Sequence, residues 1–258
     1  MLEIDSAVIG GWLGQMLWPF LRIGGLLMVA PVTGAKVVSA RIRTIFALLL
    51  TFTIYPFLPP MPSLDLVTVP AFVLAGQQVL IGVAMGFVLQ ILLQLFVVAG
   101  QIIAMQTGLG FASIVDPANG VTVTVVSQFH LMMVTLLFVT MNGHLVMIEV
   151  LVDSFYSLPV GAGFISENHL WQLASWGSWL FGSALLLALP AVASMLIINF
   201  SLGVITRAAP QLNIFAIGFP AMLIIGLCII WVTINNYGFH FDRYTREALD
   251  MMALMVTP

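Results

Sequence analysis

The chain has 258 residues, of which 61% are hydrophobic and 7% charged, and its mean hydropathy is +1.14. Soluble domains carry about 25% charged residues and roughly 45–50% apolar ones, so this composition excludes an ordinary soluble fold. The formal net charge of −3 excludes nucleic acid as a natural partner. Composition therefore predicts an integral membrane protein. Its long continuous apolar runs favour helices over the alternating segments of about ten residues that build a membrane β-barrel.

Six apolar segments follow one another along the chain. They cover about 7–30, 44–58, 66–107, 121–152, 170–206 and 212–235, and a short amphipathic tail follows. Glu3 and Asp5 lie where a signal peptide would be positively charged, so we expect the first segment to be retained. Cys228 is the single cysteine, which excludes an intrachain disulfide and a cysteine-based metal site.

The segment lengths do not fit simple membrane crossing. A hydrocarbon core of about 30 Å needs roughly 20 helical residues. The second segment has about 15 residues, and the third has about 42, which would reach about 63 Å as one straight helix. We therefore expect the third segment to be kinked or to extend beyond the hydrocarbon, and the helices to pack on other protein.

Basic residues suggest an orientation for the chain. Lys36, Arg41 and Arg43 fall between the first two segments, and Arg207 falls between the last two. The positive-inside rule then places both termini on the outer side. Arg243 and Arg246 in the tail disagree with this orientation, although three acidic residues offset them: Asp242, Glu247 and Asp250.

The third segment carries polar and small residues at helical spacing. Gln90, Gln94 and Gln101 lie within about 40° of one another on a helical wheel of about 100° per residue. Gly82 and Gly86 form a small-xxx-small pair, which lets another helix approach closely. These residues predict helix packing with amide hydrogen bonds, and the alternative is that the glutamines line an aqueous path.

A few polar residues are costly in hydrocarbon, and each has a structural and a functional reading. Arg22 needs a protein-lined or aqueous environment, or must snorkel to the interface. His130 and His144 lack the further ligands that a metal site requires, so we expect structural histidines. Glu149 could serve a proton relay only with other titratable groups nearby. No nucleophile, phosphate-loop or paired-carboxylate pattern is present, so we predict a protein that is not an enzyme and has no cofactor or metal.

One glycine-rich stretch separates the third and fourth segments. Irregular backbone at membrane depth survives only where protein buries it or water reaches it. Gly108, Gly110 and Gly120 relieve steric limits, and Pro117 biases Asp116 away from helix. Residue pattern alone favours an ordinary connecting loop that lies outside the hydrocarbon or in a protein-walled cavity.

Three stretches in order resemble the FliR family of flagellar biosynthetic proteins, which includes the equivalent proteins of virulence type III secretion. They are GLGFASIVDPANG, VSQFHLMMVTLLFVTMNGHL and TRAAPQLNIFAIGFP. The resemblance covers nearly the whole chain, and the tail after Tyr237 has no matching motif. It implies an all-α membrane protein of about six long, partly kinked helices. Residues 1–168 would be a FliP-like portion, 169–238 a FliQ-like helical hairpin and 239–258 an amphipathic tail, packed in a hetero-oligomeric helical shell.

The resemblance also implies a role for the glycine-rich stretch. The family's loop between its long central helices projects into an export channel and helps to close it. Phe111 would be its bulky occupant and Asp116 and Pro117 its fold point. The full predicted plug is Gly108, Gly110, Phe111, Ile114, Asp116, Pro117 and Gly120. Arg207, Pro210 and Gln211 would face the cytoplasmic entrance of the channel.

The implied partners are FliP and FliQ proteins in the gate, the FlhB-type and FlhA-type export components, unfolded flagellar substrates and membrane lipid. The implied location is the bacterial inner membrane within the flagellar basal body. Two alternatives stay open on sequence alone. One is a secondary transporter for a small solute, which broken helices and buried amides would suit. The other is a structural scaffold that nucleates the shell without gating it.

Overall fold

The fold comes from a computed structural model that describes residues 6–62, 68–116, 122–163, 166–209 and 214–256. The described helices are α1 (Ser6–Val29), α2 (Ala40–Ile54), α3 (Val69–Thr107), α4 (Val125–Thr140), α5 (Gly143–Ser157), α6 (Glu167–Ala208), α7 (Ile214–Ile234) and α8 (Tyr237–Leu254). Two short strands, β1 (Ser113–Val115) and β2 (Thr122–Thr124), lie between α3 and α4. The expected all-α membrane class is confirmed.

Three of the described helical spans are long and apolar enough to cross a membrane: Ala40–Phe57, Val69–Thr107 and Glu167–Ala208. Two bent helix pairs would raise the number to five if each pair formed one crossing. The predicted third segment is one helix of 39 residues, which corresponds to a length of about 58 Å. The chain is therefore a multi-pass membrane protein whose helices are uneven in length.

The predicted fourth segment is two helices, α4 and α5, bent by 65° with respect to each other. Asn142 lies at the break with a φ of 58°, a left-handed conformation that asparagine tolerates better than most residues. The break therefore falls within the MNGHL stretch at 141–145. The amphipathic tail forms α8, which meets α7 at a 60° bend.

Helix ends follow ordinary capping chemistry. The Thr124 hydroxyl accepts the amide N–H of Ser127 at 3.2 Å and caps α4. The Ser166 hydroxyl accepts the amide N–H of His169 at 3.3 Å at the start of α6. The same helix carries Glu167 in its first turn and Arg207 in its last, which suits the helix dipole.

The chain divides into two compact units. The first unit comprises Met1–Gln90, Asn142–Ser175 and Arg246–Pro258, and within it α1 packs on α2 and on the first part of α3. Its core includes Trp18, Leu26 and Met85, all fully buried.

The second unit comprises Ile91–Met141 and Trp176–Thr245, and an aromatic cluster lies at its centre. The ring of Phe96 lies 5.8 Å from Tyr237, 6.0 Å from Phe241 and 6.2 Å from Tyr244 between centroids. The Tyr244 hydroxyl donates to the Ser183 carbonyl at 3.4 Å. The first half of α8 is therefore part of a packed core, although its sequence carried no motif.

Candidate functional site

The segment between α3 and α4 is a small β-hairpin rather than an irregular loop. A 3-10 turn (Leu109–Phe111) follows α3, and β1 then pairs antiparallel with β2 in the register Ser113 to Thr124, Ile114 to Val123 and Val115 to Thr122. The Val125 amide donates to the Ala112 carbonyl at 2.9 Å and closes the base of this hairpin. We call residues 108–124 the hairpin segment.

The predicted plug residues lie at different depths in the hairpin segment. Phe111 is 91% exposed in the 3-10 turn, and Ile114 is 47% exposed on β1. Asp116, directly after β1, is only 2% exposed, so its carboxyl group is buried. Pro117 and Gly120 lie outside the described residues. The predicted bulky residue is thus the most solvent-exposed of the plug side chains that the structure describes.

The first stem of the hairpin segment, where the chain leaves α3, is held by α7 within the second unit. Gly108 has a φ of 78°, which strains any side-chain-bearing residue, and it faces the ring of Phe219. Thr107, fully buried at the end of α3, lies against Gly226, where an added Cβ would come within 2.6 Å of the Thr107 Cβ. Glycine at 226 therefore lets α7 approach the point where α3 ends.

The second stem, where the chain enters α4, is held by α3. The Gln101 side-chain oxygen accepts the Thr124 amide N–H at 3.4 Å and the Ser127 hydroxyl at 3.2 Å. Gln101 thus makes amide hydrogen bonds between neighbouring segments, which is one of the two readings of the glutamine stripe. Gln90 and Gln94 are half-buried, and whether they face a channel stays a prediction.

The glycine pair on α3 lies under α1 within the first unit. A Cβ at Gly82 would clash with the Arg22 carbonyl oxygen, and one at Gly86 would come within 2.8 Å of the Leu26 carbonyl oxygen. These contacts are with backbone, which cannot rotate away. The small-xxx-small pair therefore lets two helix backbones approach closely, as such pairs do in membrane helices, and the partner helix is α1.

Arg22 is fully buried by protein in the first unit, which answers the question left open by its sequence. Its guanidinium donates to the Gln78 side-chain oxygen at 2.9 Å, to the Ser154 carbonyl at 2.7 Å and hydroxyl at 3.1 Å, and to the Leu158 carbonyl at 2.9 Å. It also lies 4.3 Å from the centroid of the Phe155 ring. Arg22 therefore caps the C-terminal end of α5, where cations are favoured.

Gln78 was missed by sequence reasoning, although a signal was available. It is fully buried and lies four residues before Gly82, so the polar and small stripe of α3 begins one turn earlier than predicted. Continuing the spacing of four toward the N-terminus would have found it.

The remaining candidate residues are scattered. Arg207 is exposed in the last turn of α6, while Pro210 and Gln211 lie outside the described residues. Glu149 is exposed on α5. His130 is buried against Gly100, and its Nδ1 lies 2.7 Å from the Val126 carbonyl oxygen, which suits a structural histidine.

Comparison with known proteins agrees with this architecture. Residues 13–248 match the family described as bacterial export proteins, family 1. The chain is 40% identical over 230 residues to the flagellar biosynthetic protein FliR of Escherichia coli (strain K12), covering 89% of this chain and 88% of that protein. It is 37% identical over 262 residues to FliR of Pectobacterium carotovorum subsp. carotovorum, covering 100% of this chain and 98% of that protein.

A distant relative matches over a similar length. FliR of Aquifex aeolicus (strain VF5) is 30% identical over 249 residues, covering 93% of this chain and 95% of that protein. A helical, multi-pass membrane fold and these matches define the chain as a component of a bacterial export apparatus. It belongs to family 1 of the bacterial export proteins, and the three relatives compared above are flagellar FliR proteins. The resemblance found in the sequence is confirmed.

Proposed function

We propose that this chain is a non-enzymatic subunit of the flagellar type III protein export gate. It forms part of the channel for unfolded flagellar substrates, and its hairpin segment is the plug that helps to keep the channel closed. The observation that carries the proposal is the exposure of Phe111. Its ring is 91% exposed and lies between two stems that the protein holds in place.

The hairpin segment has the physical properties that a displaceable plug needs. The contact between Thr107 and Gly226 fixes the first stem, and the hydrogen bond from the Thr124 amide to Gln101 fixes the second. Both stems can therefore stay packed while the 3-10 turn moves. The 3-10 turn that carries Phe111 is three residues long, so the ring can move with a small part of the chain. A phenyl ring in a narrow lumen displaces water and ions, whereas a passing polypeptide can push it aside.

Partners and location follow from family membership as part of the same proposal. The chain assembles with FliP and FliQ proteins, α6 and α7 form a FliQ-like hairpin, and FlhB-type and FlhA-type components act at the cytoplasmic entrance. Arg207, Pro210 and Gln211 lie at that entrance, and the gate belongs to the inner membrane part of the flagellar basal body. The exposed apolar face of α6, with Leu186, Ile197 and Phe200, supports a helix whose surface other subunits cover.

The test replaces one exposed phenylalanine at a time. Phe111→Ala removes the proposed occupant, and Phe200→Ala is the matched control because its ring is 75% exposed on α6. The gate is assembled in cells with its native partners, and ion leakage across the membrane is measured. We expect leakage with Phe111→Ala, and tight membranes with Phe200→Ala provided that assembly is unchanged. An assembled Phe111→Ala gate as tight as wild type would refute the plug.

The same measurement separates the alternatives. A scaffold without gating would assemble normally and stay tight when the plug residue is removed. The two bent helix pairs are a feature that secondary transporters share. Solute uptake by the purified chain alone in vesicles would support that rival, while a chain that needs its partners for any conductance would support the export gate.

A further inference from the structure

An apolar groove lies directly beside the turn that carries Phe111, within the second unit. Its volume is about 400 Å³. Leu109 and Ala112 of the hairpin segment form one wall, Val126 and Phe129 of α4 form the second, and α7 supplies the third with Leu227 and Ile230. Side chains of this kind offer no hydrogen-bonding groups to water, so the groove favours an apolar occupant.

Phe111 is placed to enter this groove. It lies between Leu109 and Ala112 in the chain, and both of these residues line the groove, whereas its own ring is 91% exposed. An apolar cavity of about 150 Å³ already accepts a benzene molecule, so this groove has room for one phenyl ring. Ala112 has the smallest side chain among the residues that line the groove.

The backbone lets the ring change sides without unfolding the hairpin. Gly108 adopts the left-handed conformation just before the 3-10 turn, and the turn is three residues long. The hydrogen bond from the Val125 amide to the Ala112 carbonyl and the β1–β2 pairing lie after Phe111. A reorganisation confined to residues 108–111 therefore moves the ring while the strand pairing persists.

We infer that the groove receives the Phe111 ring when the plug is withdrawn. The turn then has two positions, outward with the ring exposed and inward with the ring buried against α4 and α7. This inference rests on the proposed function, since it assigns a place to the plug residue during export. Burial in the groove holds the gate open without contacts from a substrate, and the ring returns when the turn refolds.

Cysteine pairs test the inward position directly. With Cys228 replaced by serine, Phe111→Cys is combined with Ile230→Cys in the groove, or with Val232→Cys as the control. Val232 is 57% exposed on the same helix and outside the groove. Disulfide formation requires Cα atoms within about 7 Å. We expect the 230 pair to form several-fold more intrachain disulfide in cells that are exporting substrate than in cells whose export is blocked, and the 232 pair to show no such rise. The same yield of the 230 pair in both states would overturn the inference.

A narrowed groove provides a second measurement that does not depend on added cysteines. Ile230→Trp places a bulkier ring in the groove, and Val232→Trp adds a bulky ring outside it. If the Phe111 ring needs the groove, Ile230→Trp lowers substrate secretion on the order of tenfold, the population shift expected from losing the burial of one phenyl ring, and Val232→Trp does not. The loss should vanish when Phe111 is already alanine. An equal loss in both backgrounds would show that the loss does not depend on the Phe111 ring and would overturn the inference.

The two proposals fail in different ways. If Phe111→Ala does not leak, the plug is refuted whatever the cysteine pairs do. If Phe111→Ala leaks but the disulfide yield of the 230 pair does not rise during export, the plug stands and only the groove assignment is refuted.

Discussion

Arg22→Lys should destabilise the protein even though it preserves the positive charge. The guanidinium of Arg22 reaches three acceptor residues at once, namely Gln78, Ser154 and Leu158, from a fully buried position. A lysine ammonium is a single point at the end of the side chain and lacks the planar fork. It keeps the cost of a buried charge while it loses part of the hydrogen bonding.

The expected loss can be worked from these contacts. At least one of the three acceptor groups is left without a donor, and an unsatisfied buried polar group costs about 1–3 kcal/mol. Loss of the guanidinium stacking over Phe155, 4.3 Å from its ring centroid, adds about 0.5–2 kcal/mol. The sum is about 1.5–5 kcal/mol. For a chain of this size, a change of 1 kcal/mol shifts the melting temperature by roughly 2–4 °C.

The assay is thermal melting of the detergent-purified complex, followed by loss of the monodisperse peak on size exclusion. The matched control is Arg41→Lys, because Arg41 is exposed at the start of α2. We expect Arg22→Lys to melt at least roughly 3 °C below wild type and Arg41→Lys to be unchanged. Equal melting of the two variants would refute the argument, since it would show that a positive charge alone is sufficient at position 22.

Two further substitutions test the contacts of α3. Gly82→Ala should lower the melting temperature by an amount that corresponds to about 1–3 kcal/mol, because the new Cβ clashes with the Arg22 carbonyl. Gly24→Ala is its control, since no atom lies within 4 Å of an added Cβ there, and equal effects would contradict the close approach. Gln101→Ala should speed amide hydrogen exchange at Thr124, whose N–H it accepts, while α3 itself stays protected. Unchanged exchange there would show that the side chain does not hold the stem.

Local features of the chain were predictable where one residue type decides the geometry. The Asn-Gly pair at 142–143 indicated an interrupted helix, because asparagine tolerates a left-handed backbone, and α4 ends there. Gly82 and Gly86 indicated a close helix contact. Neither pattern identifies its partner or sets the 65° bend, since those depend on packing against distant segments.

The surroundings of Arg22 could not be predicted, because its partners lie 56 to 136 residues away in the chain. A single sequence shows that a buried arginine needs hydrogen-bond acceptors. It does not show which carbonyl groups lie close to the arginine in the folded protein. The hairpin, by contrast, left a readable signal. The runs SIV and TVT, rich in β-branched residues, flank a stretch rich in turn residues, which is a strand-turn-strand pattern.

The contact between Thr107 and Gly226 has a consequence for biosynthesis. The two residues are separated by most of α4 to α7 in the chain, and ribosomes make proteins from the N-terminus at about 5–20 residues per second. The hydrogen bonds of the hairpin are local and can form soon after residue 125 is made. The surface that fixes its first stem does not exist until α7 has been synthesised. The first stem can therefore be secured only when synthesis is nearly complete, whatever the hairpin has formed on its own before then.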